Sequence, residues 1–223
     1  MCGRFTLALD RDGLAAAYPD FVVTGEIIPR YNIAPTQPVP VVPNNGQNRV
    51  EFFTWGLIPS WAKDPKIGNR MINARSETLH EKPSFRAAYK RRRCLVLTDG
   101  FYEWQKVPGQ KAKVPAHIRM NSDEPFAFAG LWESWHSADG SHILSCTIIT
   151  TTPNELLEPI HNRMPVILAR EDYDEWLDPE ERGPEALGHL LKPYPASEMR
   201  AYPVSTAVNN PRVDAPELIV PAN

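Results

Sequence analysis

The sequence has no long apolar run, only three cysteines and no excess of positive charge, and each of these shortages excludes a class of protein. No apolar stretch approaches the roughly 20 residues of a membrane-spanning helix, and the N-terminus lacks the charged-then-apolar layout of a signal peptide. Cys2, Cys94 and Cys146 form neither a disulfide framework nor a zinc-binding spacing. With a net charge of −3, any polyanion must be bound by a local patch. We expect a cytoplasmic or nucleoid protein without a membrane partner.

Proline, in contrast, is abundant, with 23 residues spread along the chain of 223. Because proline is excluded from helix interiors and central strand positions, this favours short elements joined by structured loops. Local patterning predicts strands at 4–9, 39–42, 50–57, 94–97, 102–106, 116–120, 126–132, 143–151 and 199–204. It predicts helices at 10–18, 76–92, 172–177 and 184–191, the second interrupted by Pro83.

This element order predicts one α+β domain over residues 1–223. We expect a curved, barrel-like, mainly antiparallel sheet core with peripheral helices. Residues from about 209 onward contain three further prolines, which predicts an extended C-terminal tail, either a strap or a frayed end.

The second residue, Cys2, carries the most informative chemistry. Initiator methionine is usually removed before a small residue, which would leave Cys2 with a free α-amine and a thiol. These groups titrate near pH ~7.7–8.0 and ~8.5, so both are usable nucleophiles at neutral pH. Such an aminothiol condenses with an aldehyde through nitrogen and then closes a thiazolidine ring through sulfur. An incidental cysteine at this position is the alternative.

Two further residues carry side chains suited to proton transfer. Glu103 lies between Tyr102 and Trp104, and a carboxylate flanked by aromatic rings is partly desolvated, which raises its pKa. An outward-facing strand glutamate is the equal alternative. His161 lies in a loop bounded by prolines, which suits the presentation of one imidazole. A lone histidine is more often structural, so the residue alone does not decide its role.

Asn73 and Arg75 are two residues apart and, on extended backbone, point to the same face. An amide and a guanidinium placed in this way can orient a reactive group and bind a phosphate. A turn-forming Asn73 and an ion pair between Arg75 and Glu77 are the alternatives.

A tryptophan in a polar loop and a run of basic residues are weaker signals of nucleic-acid binding. Trp61 follows Pro59 in such a loop and can stack on bases, although tryptophan is more often a core residue. The basic run 90–93 is typical of a solvated helix end, with phosphate contact as the minority alternative.

Six motifs together carry a specific resemblance. They are Met-Cys-Gly-Arg-Phe (1–5), Tyr-Asn-Ile-Ala-Pro-Thr-Gln (31–37), Trp-Gly-Leu-Ile-Pro-Ser-Trp (55–61), Asn-Ala-Arg-Ser-Glu-Thr (73–78), Asp-Gly-Phe-Tyr-Glu-Trp (99–104) and His-Asn-Arg-Met-Pro-Val (161–166). In this order they closely resemble the SOS response-associated peptidase (SRAP) family, whose members cross-link to abasic sites in DNA. The resemblance runs from Met1 to about Val204.

The resemblance implies a barrel-like α+β domain with a positively charged groove for single-stranded DNA. It implies that Cys2 is the covalent residue, with Asn73, Glu103 and His161 around it. The residues that it implies at DNA are Arg4, Arg75 and Arg163 on phosphates, with Pro35 and Trp61 near the bases. Some relatives carry an arginine toward DNA near position 82, where this chain has Lys82 as the substitute, followed by proline.

The family likeness also implies partners. They are single-stranded DNA containing abasic sites and, beyond it, replication-fork proteins, with the chain itself a monomer. We expect no metal and no other cofactor.

The residues and the resemblance agree on one mechanistic hypothesis. Met1 is removed, by the protein itself or by an aminopeptidase, and the freed amine attacks the aldehyde carbon of the ring-opened sugar. Glu103 transfers protons, His161 assists dehydration, and Asn73 holds Cys2. Sulfur addition traps the imine before the strand is cleaved, with lyase activity as a side reaction.

Two other classes fit parts of the sequence. N-terminal-nucleophile glutamine amidotransferases also begin Met-Cys-Gly, but they typically continue with isoleucine where this chain has Arg4, and their remaining motifs are not found. A non-covalent nucleic-acid-binding module would bind reversibly and without regard to abasic sites.

Overall fold

The computed structural model describes residues 2–109, 111–137, 139–183 and 185–222. The strands are Phe5–Leu7 (β1), Arg30–Ile33 (β2), Pro38–Pro43 (β3), Glu51–Trp55 (β4), Asn73–Arg75 (β5), Arg93–Thr98 (β6), Gly100–Gln105 (β7), Val114–Met120 (β8), Phe126–His136 (β9), His142–Thr151 (β10), Met164–Pro165 (β11), Ile167–Leu168 (β12) and Met199–Pro203 (β13). The α-helices are Arg11–Ala17 (α1), Arg86–Arg91 (α2) and Tyr173–Leu177 (α3).

Five of the strands close into a barrel. In the order β4, β3, β6, β9 and β10, each strand pairs with the next, and β10 pairs back with β4. Closure leaves no unpaired edge among the five, which removes the hazard of edge-to-edge association. The β10–β4 pairing is parallel and the others are antiparallel. The predicted α+β class with a barrel-like, mainly antiparallel core is therefore confirmed.

A second sheet, in the order β13-β8-β7-β1-β2, packs against this barrel. Phe5 of β1 lies at the junction, with its ring centroid 5.1 Å from that of Trp55 and 5.9 Å from that of Phe128. All three rings are buried, so the two sheets share one apolar core. This packing fixes β1, and with it the N-terminal segment, against the barrel.

The C-terminal residues lie as a strap across the second sheet. The buried Asn32 side chain donates to the carbonyls of Asn210 (3.1 Å) and Val213 (2.6 Å). Trp104 Nε1 donates to Asn209 Oδ1 at 2.6 Å, and Tyr202 OH donates to the Ile219 carbonyl at 2.9 Å. The strap form of the tail is the one observed in these residues.

The helix predictions were less accurate than the strand predictions. Helix α1 begins and ends as expected, since Asp10 caps it by accepting from the Gly13 N–H at 2.8 Å. The segment 76–92 forms only a 3₁₀ turn, Ser76–Thr78, and the short α2. The helix expected over 184–191 is wrong for its described residues, which contain turns and the 3₁₀ helix Gly188–Leu190; position 184 lies outside the described residues.

No helix within the described ranges combines the length and the apolar character needed to cross a membrane.

Candidate active site at the N-terminus

Cys2 is fully buried at the start of the chain, beside strand β7. The Arg4 carbonyl accepts from the Tyr102 N–H at 2.9 Å, and Phe5 pairs with Phe101, so the N-terminal segment runs antiparallel along β7. Burial, and then the negative charge of Glu103, raise the pKa of the Cys2 thiol. The thiol is thus protonated at neutral pH until a nearby base takes its proton.

Glu103 is a buried carboxyl group on β7, only 2% exposed. The alternative of an outward-facing glutamate is wrong. Burial raises the pKa of Glu103, which the Lys113 ammonium partly opposes. A carboxyl group with a raised pKa keeps its proton to a higher pH than a solvated one, which favours a role as a proton donor.

Asn73 contacts Cys2 directly. Its Nδ2 donates to the Cys2 carbonyl at 2.8 Å. Strand β5 holds Asn73 in place through its parallel pairing with β10, opposite Ile148, and Trp55 Nε1 donates to the carbonyl of the preceding Ile72 at 2.8 Å. Asn73 Oδ1 is buried and accepts no hydrogen bond within the described residues. The amide therefore positions the Cys2 backbone through its nitrogen.

His161 is half-buried in the loop before β11. Burial lowers the pKa of His161, and the positive charge of Lys113 acts in the same direction. The imidazole is therefore neutral at pH 7. Gln105 Nε2 donates to the Pro159 carbonyl at 3.2 Å, which ties the end of β7 to this loop.

These contacts gather the four predicted catalytic residues at one place. Asn73 bonds to Cys2, the Glu103 charge acts on the Cys2 thiol, and the Lys113 charge acts on both Glu103 and His161. The sequence analysis missed Lys113. A lysine-rich β7–β8 connection, with lysines at 106, 111 and 113, was the available signal.

Two of the arginines expected at phosphates have internal partners. Arg4 Nη1 donates to Asn32 Oδ1 at 2.6 Å and to the Val208 carbonyl at 2.9 Å, so it anchors the strap. Burial lowers the pKa of Arg4. Arg163 forms an ion pair with Glu77, so the expected Arg75–Glu77 pair is not the one formed.

The remaining candidates for DNA contact are more accessible. Arg75 and Lys82 are exposed, Pro35 is half-buried, and Trp61 is 58% exposed. Trp61 lies in a turn that a hydrogen bond holds in place, because Trp135 Nε1 donates to the carbonyl of the neighbouring Ala62 at 2.7 Å. An exposed indole on a fixed turn suits stacking on a base.

The basic run 90–93 is mostly neutralised within the protein. Lys90 and Arg91 pair with Glu181, and Arg92 pairs with Glu133. Arg93 is fully buried, and in the described contacts its guanidinium donates only to backbone carbonyls. The solvated-helix-end interpretation is therefore correct only in part, because this run also ties α2 to its surroundings.

In the part of the chain that the structure describes, no three histidine, cysteine or acidic side chains are grouped so as to hold a metal ion.

Comparison with known proteins places this chain in a family. Residues 1–211 match the family model described as SOS response associated peptidase (SRAP). The chain is 50% identical over 222 residues to "Abasic site processing protein YoqW" of Bacillus subtilis (strain 168), covering 98% of this chain and 99% of the relative. It is 34% identical over 272 residues to "Abasic site processing protein HMCES" of Rattus norvegicus, covering 100% of this chain and 76% of the relative.

Solved structures share the fold. A crystal structure of a protein from Bacteroides thetaiotaomicron matches with a TM-score of 0.88 at 27% identity, covering 100% of both chains. A second, from Bordetella bronchiseptica, matches with a TM-score of 0.78 at 25% identity, covering 92% of this chain and 100% of the other.

Proposed function

Because this chain belongs to the SOS response associated peptidase (SRAP) family, we propose that it captures abasic sites in single-stranded DNA as a covalent adduct of Cys2. One observation carries the proposal. The Cys2 carbonyl is held by Asn73 while the Glu103 charge acts on the Cys2 thiol, so an acid–base group and an orienting amide adjoin one N-terminal cysteine. The family favours this function over the amidotransferase alternative.

The first step is exposure of the Cys2 amine by removal of Met1. The Asn73 hydrogen bond fixes the Cys2 carbonyl and therefore the orientation of the residue whose nitrogen is released. In self-processing, Glu103 and His161 assist water or the Cys2 thiol in attacking the Met1–Cys2 peptide bond. An aminopeptidase would produce the same amine, and the adduct chemistry that follows is identical.

The amine then condenses with the aldehyde of the ring-opened sugar. Glu103 protonates the sugar ring oxygen as the ring opens and takes up the proton of the C1′ hydroxyl, which becomes the aldehyde oxygen. The amine nitrogen bonds to C1′, and one of its protons passes to that oxygen to give a carbinolamine. Its hydroxyl leaves as water with a proton from Glu103, while His161 assists this dehydration, and an iminium ion remains. The raised pKa of Glu103 suits the carboxyl group to act as the proton donor.

Sulfur closes the ring. The thiol sulfur of Cys2 bonds to C1′, its proton passes to the Glu103 carboxylate, and the iminium electron pair returns to nitrogen as a neutral thiazolidine. The burial that raises the pKa of the Cys2 thiol keeps sulfur protonated before this step, so the amine reacts first. Ring closure removes the iminium that would otherwise drive β-elimination, so lyase activity is a side reaction of the same site.

The DNA contacts and the cellular setting belong to the same proposal. Arg75, Lys82, Pro35 and Trp61 contact the strand from the surface. Arg4 and Arg163 lie beside the strand and keep their internal partners. The protein acts as a monomer in the cytoplasm, on the nucleoid when bound to DNA, with replication-fork proteins as further partners.

The test uses a uracil-excised single-stranded oligonucleotide and denaturing electrophoresis. Wild-type protein and Cys94→Ala, which removes a buried thiol elsewhere, are expected to give a heat-stable adduct. Cys2→Ser keeps the amine but lacks the sulfur, so it is expected to lose the stable adduct and to gain strand cleavage. An undiminished heat-stable adduct from Cys2→Ser would refute the role of Cys2.

A further inference from the structure

Glu77 and Arg163 form a two-point ion pair beside the candidate site. Arg163 Nη1 donates to Glu77 Oε1 at 2.6 Å, and Nη2 donates to Oε2 at 2.9 Å. Arg163 Nη2 also donates to the Thr150 carbonyl at 2.6 Å. The hydrogen bonds from Arg163 lower the pKa of Glu77, so Glu77 is ionised at neutral pH. Bidentate pairs of this kind restrict geometry as well as adding energy.

This ion pair links the two segments that carry Asn73 and His161. Glu77 lies in the 3₁₀ turn directly after β5, the strand of Asn73. Arg163 lies two residues after His161, and its second partner, Thr150, belongs to β10, the strand that pairs with β5. Displacing the Glu77 carboxylate would therefore release one of the ties between the histidine loop and the barrel.

The backbone of Arg163 contacts the His161 ring. The Arg163 N–H lies 3.1 Å from Nδ1 and donates to it when the ring is neutral. A ring that accepts at Nδ1 carries its proton on Nε2, so this contact selects one tautomer. When the ring is an imidazolium, Nδ1–H can donate instead to the Arg163 carbonyl, 3.3 Å away. The Arg163 backbone thus offers Nδ1 a hydrogen-bond partner in both protonation states of the ring.

We propose that Glu77 is a positioning residue which, by holding Arg163 in place, fixes the backbone that selects the Nε2–H tautomer of His161. The tautomer is inferred from the contact at Nδ1 and does not depend on the proposed function. Its consequence for chemistry rests on the proposed function, in which His161 assists dehydration, and we assign that assistance to a hydrogen bond from Nε2–H to the leaving hydroxyl.

The first arm of the test measures the tautomer without DNA. Long-range ¹H–¹⁵N correlation spectra of His161 are compared for wild type, Glu77→Gln, Glu77→Ala and the control Glu81→Gln. Glu81 is an exposed carboxylate close in sequence, and its ion-pair partner is His80. We expect one protonated and one unprotonated ring nitrogen in wild type and in the control. In both Glu77 variants the chemical shifts of the two ring nitrogens are expected to become more alike, because the two tautomers exchange and each nitrogen is protonated part of the time. Because Glu77 is half-exposed, these variants are expected to unfold at nearly the wild-type temperature.

The second arm measures the single-turnover rate of adduct formation with a uracil-excised oligonucleotide, and the affinity for the undamaged strand. Both Glu77 variants are expected to react about tenfold more slowly, which is the lower end of the loss seen when the outer partners of metal-ligating histidines are removed. Their affinity for the undamaged strand is expected to be no lower. Unchanged nitrogen resonances in both variants would overturn the inference, as would a changed tautomer with an unchanged rate. A wild-type protein that forms no adduct would refute the proposed function. The tautomer measurement would still be valid in that case, because it is made without DNA.

Discussion

Replacing Glu103 with glutamine is the most informative single perturbation of the candidate site. The substitution keeps the size and one carbonyl oxygen of the side chain but removes the transferable proton. Glu103 is only 2% exposed, so bulk water has little access to substitute for it. We therefore expect adduct formation to slow by about 10²–10⁴-fold, equivalent to about 3–5 kcal/mol of barrier.

The assay is a quench-flow or manual time course with a uracil-excised oligonucleotide in excess over protein, resolved on denaturing gels. Glu158→Gln is the matched control, because Glu158 is an exposed carboxylate near the His161 loop. Affinity for the undamaged strand, measured by fluorescence anisotropy, is expected to change little in Glu103→Gln. A rate within about twofold of wild type would refute the proton-transfer role, since general acid–base catalysis is worth far more than this.

The same variant makes a prediction about stability. Burial raises the pKa of Glu103 above its unfolded value, so the carboxyl group favours the folded state at pH values below the unfolded pKa. That contribution is lost as pH rises through the folded pKa. Chemical denaturation is therefore expected to show Glu103→Gln gaining stability relative to wild type as pH rises from 4 toward neutrality. An identical pH dependence in the two proteins would contradict this reasoning.

Three further predictions concern the fold. Arg93→Lys is expected to destabilise the protein by about 3 kcal/mol, measured by urea denaturation, because an ammonium cannot satisfy the carbonyls that the buried guanidinium bridges; wild-type stability would contradict this. Burial lowers the pKa of His117 to about 3 from 6.5, so the native state resists protonation. The free energy of unfolding is then expected to fall by up to about 1.4 kcal/mol for each pH unit as the pH is lowered from 6.5 to 3. His117→Gln is expected to reduce this pH dependence. Gly56→Ala is expected to lower the unfolding temperature, because a Cβ at φ 134° would lie 2.6 Å from the Gly68 carbonyl oxygen; an unchanged temperature would refute the close contact.

Local patterning predicted much of the sheet because its rules act over a few residues. The antiparallel strands β3 and β4 lie close to the ranges 39–42 and 50–57 that local patterning predicted. Strand β2 was missed because Arg30–Ile33 has no clear alternation of its own. It is held by pairing with β1 and by the strap, both of which are long-range contacts.

The candidate site was predictable in its residue types but not in its partners. Tyr102 and Trp104 signalled correctly that Glu103 is desolvated. The pairing of Arg163 with Glu77 joins residues 86 positions apart, and no local pattern encodes such a contact. Likewise, only the folded strap shows that Arg4 has acceptors inside the protein.

Intact mass spectrometry of the protein purified from cells, before and after incubation with a uracil-excised single strand, tests the central claim most directly. We predict a mass lacking Met1 before incubation, and afterwards that mass plus the oligonucleotide minus one water, as thiazolidine formation requires. Protein that retains Met1 and still forms the adduct would contradict the account.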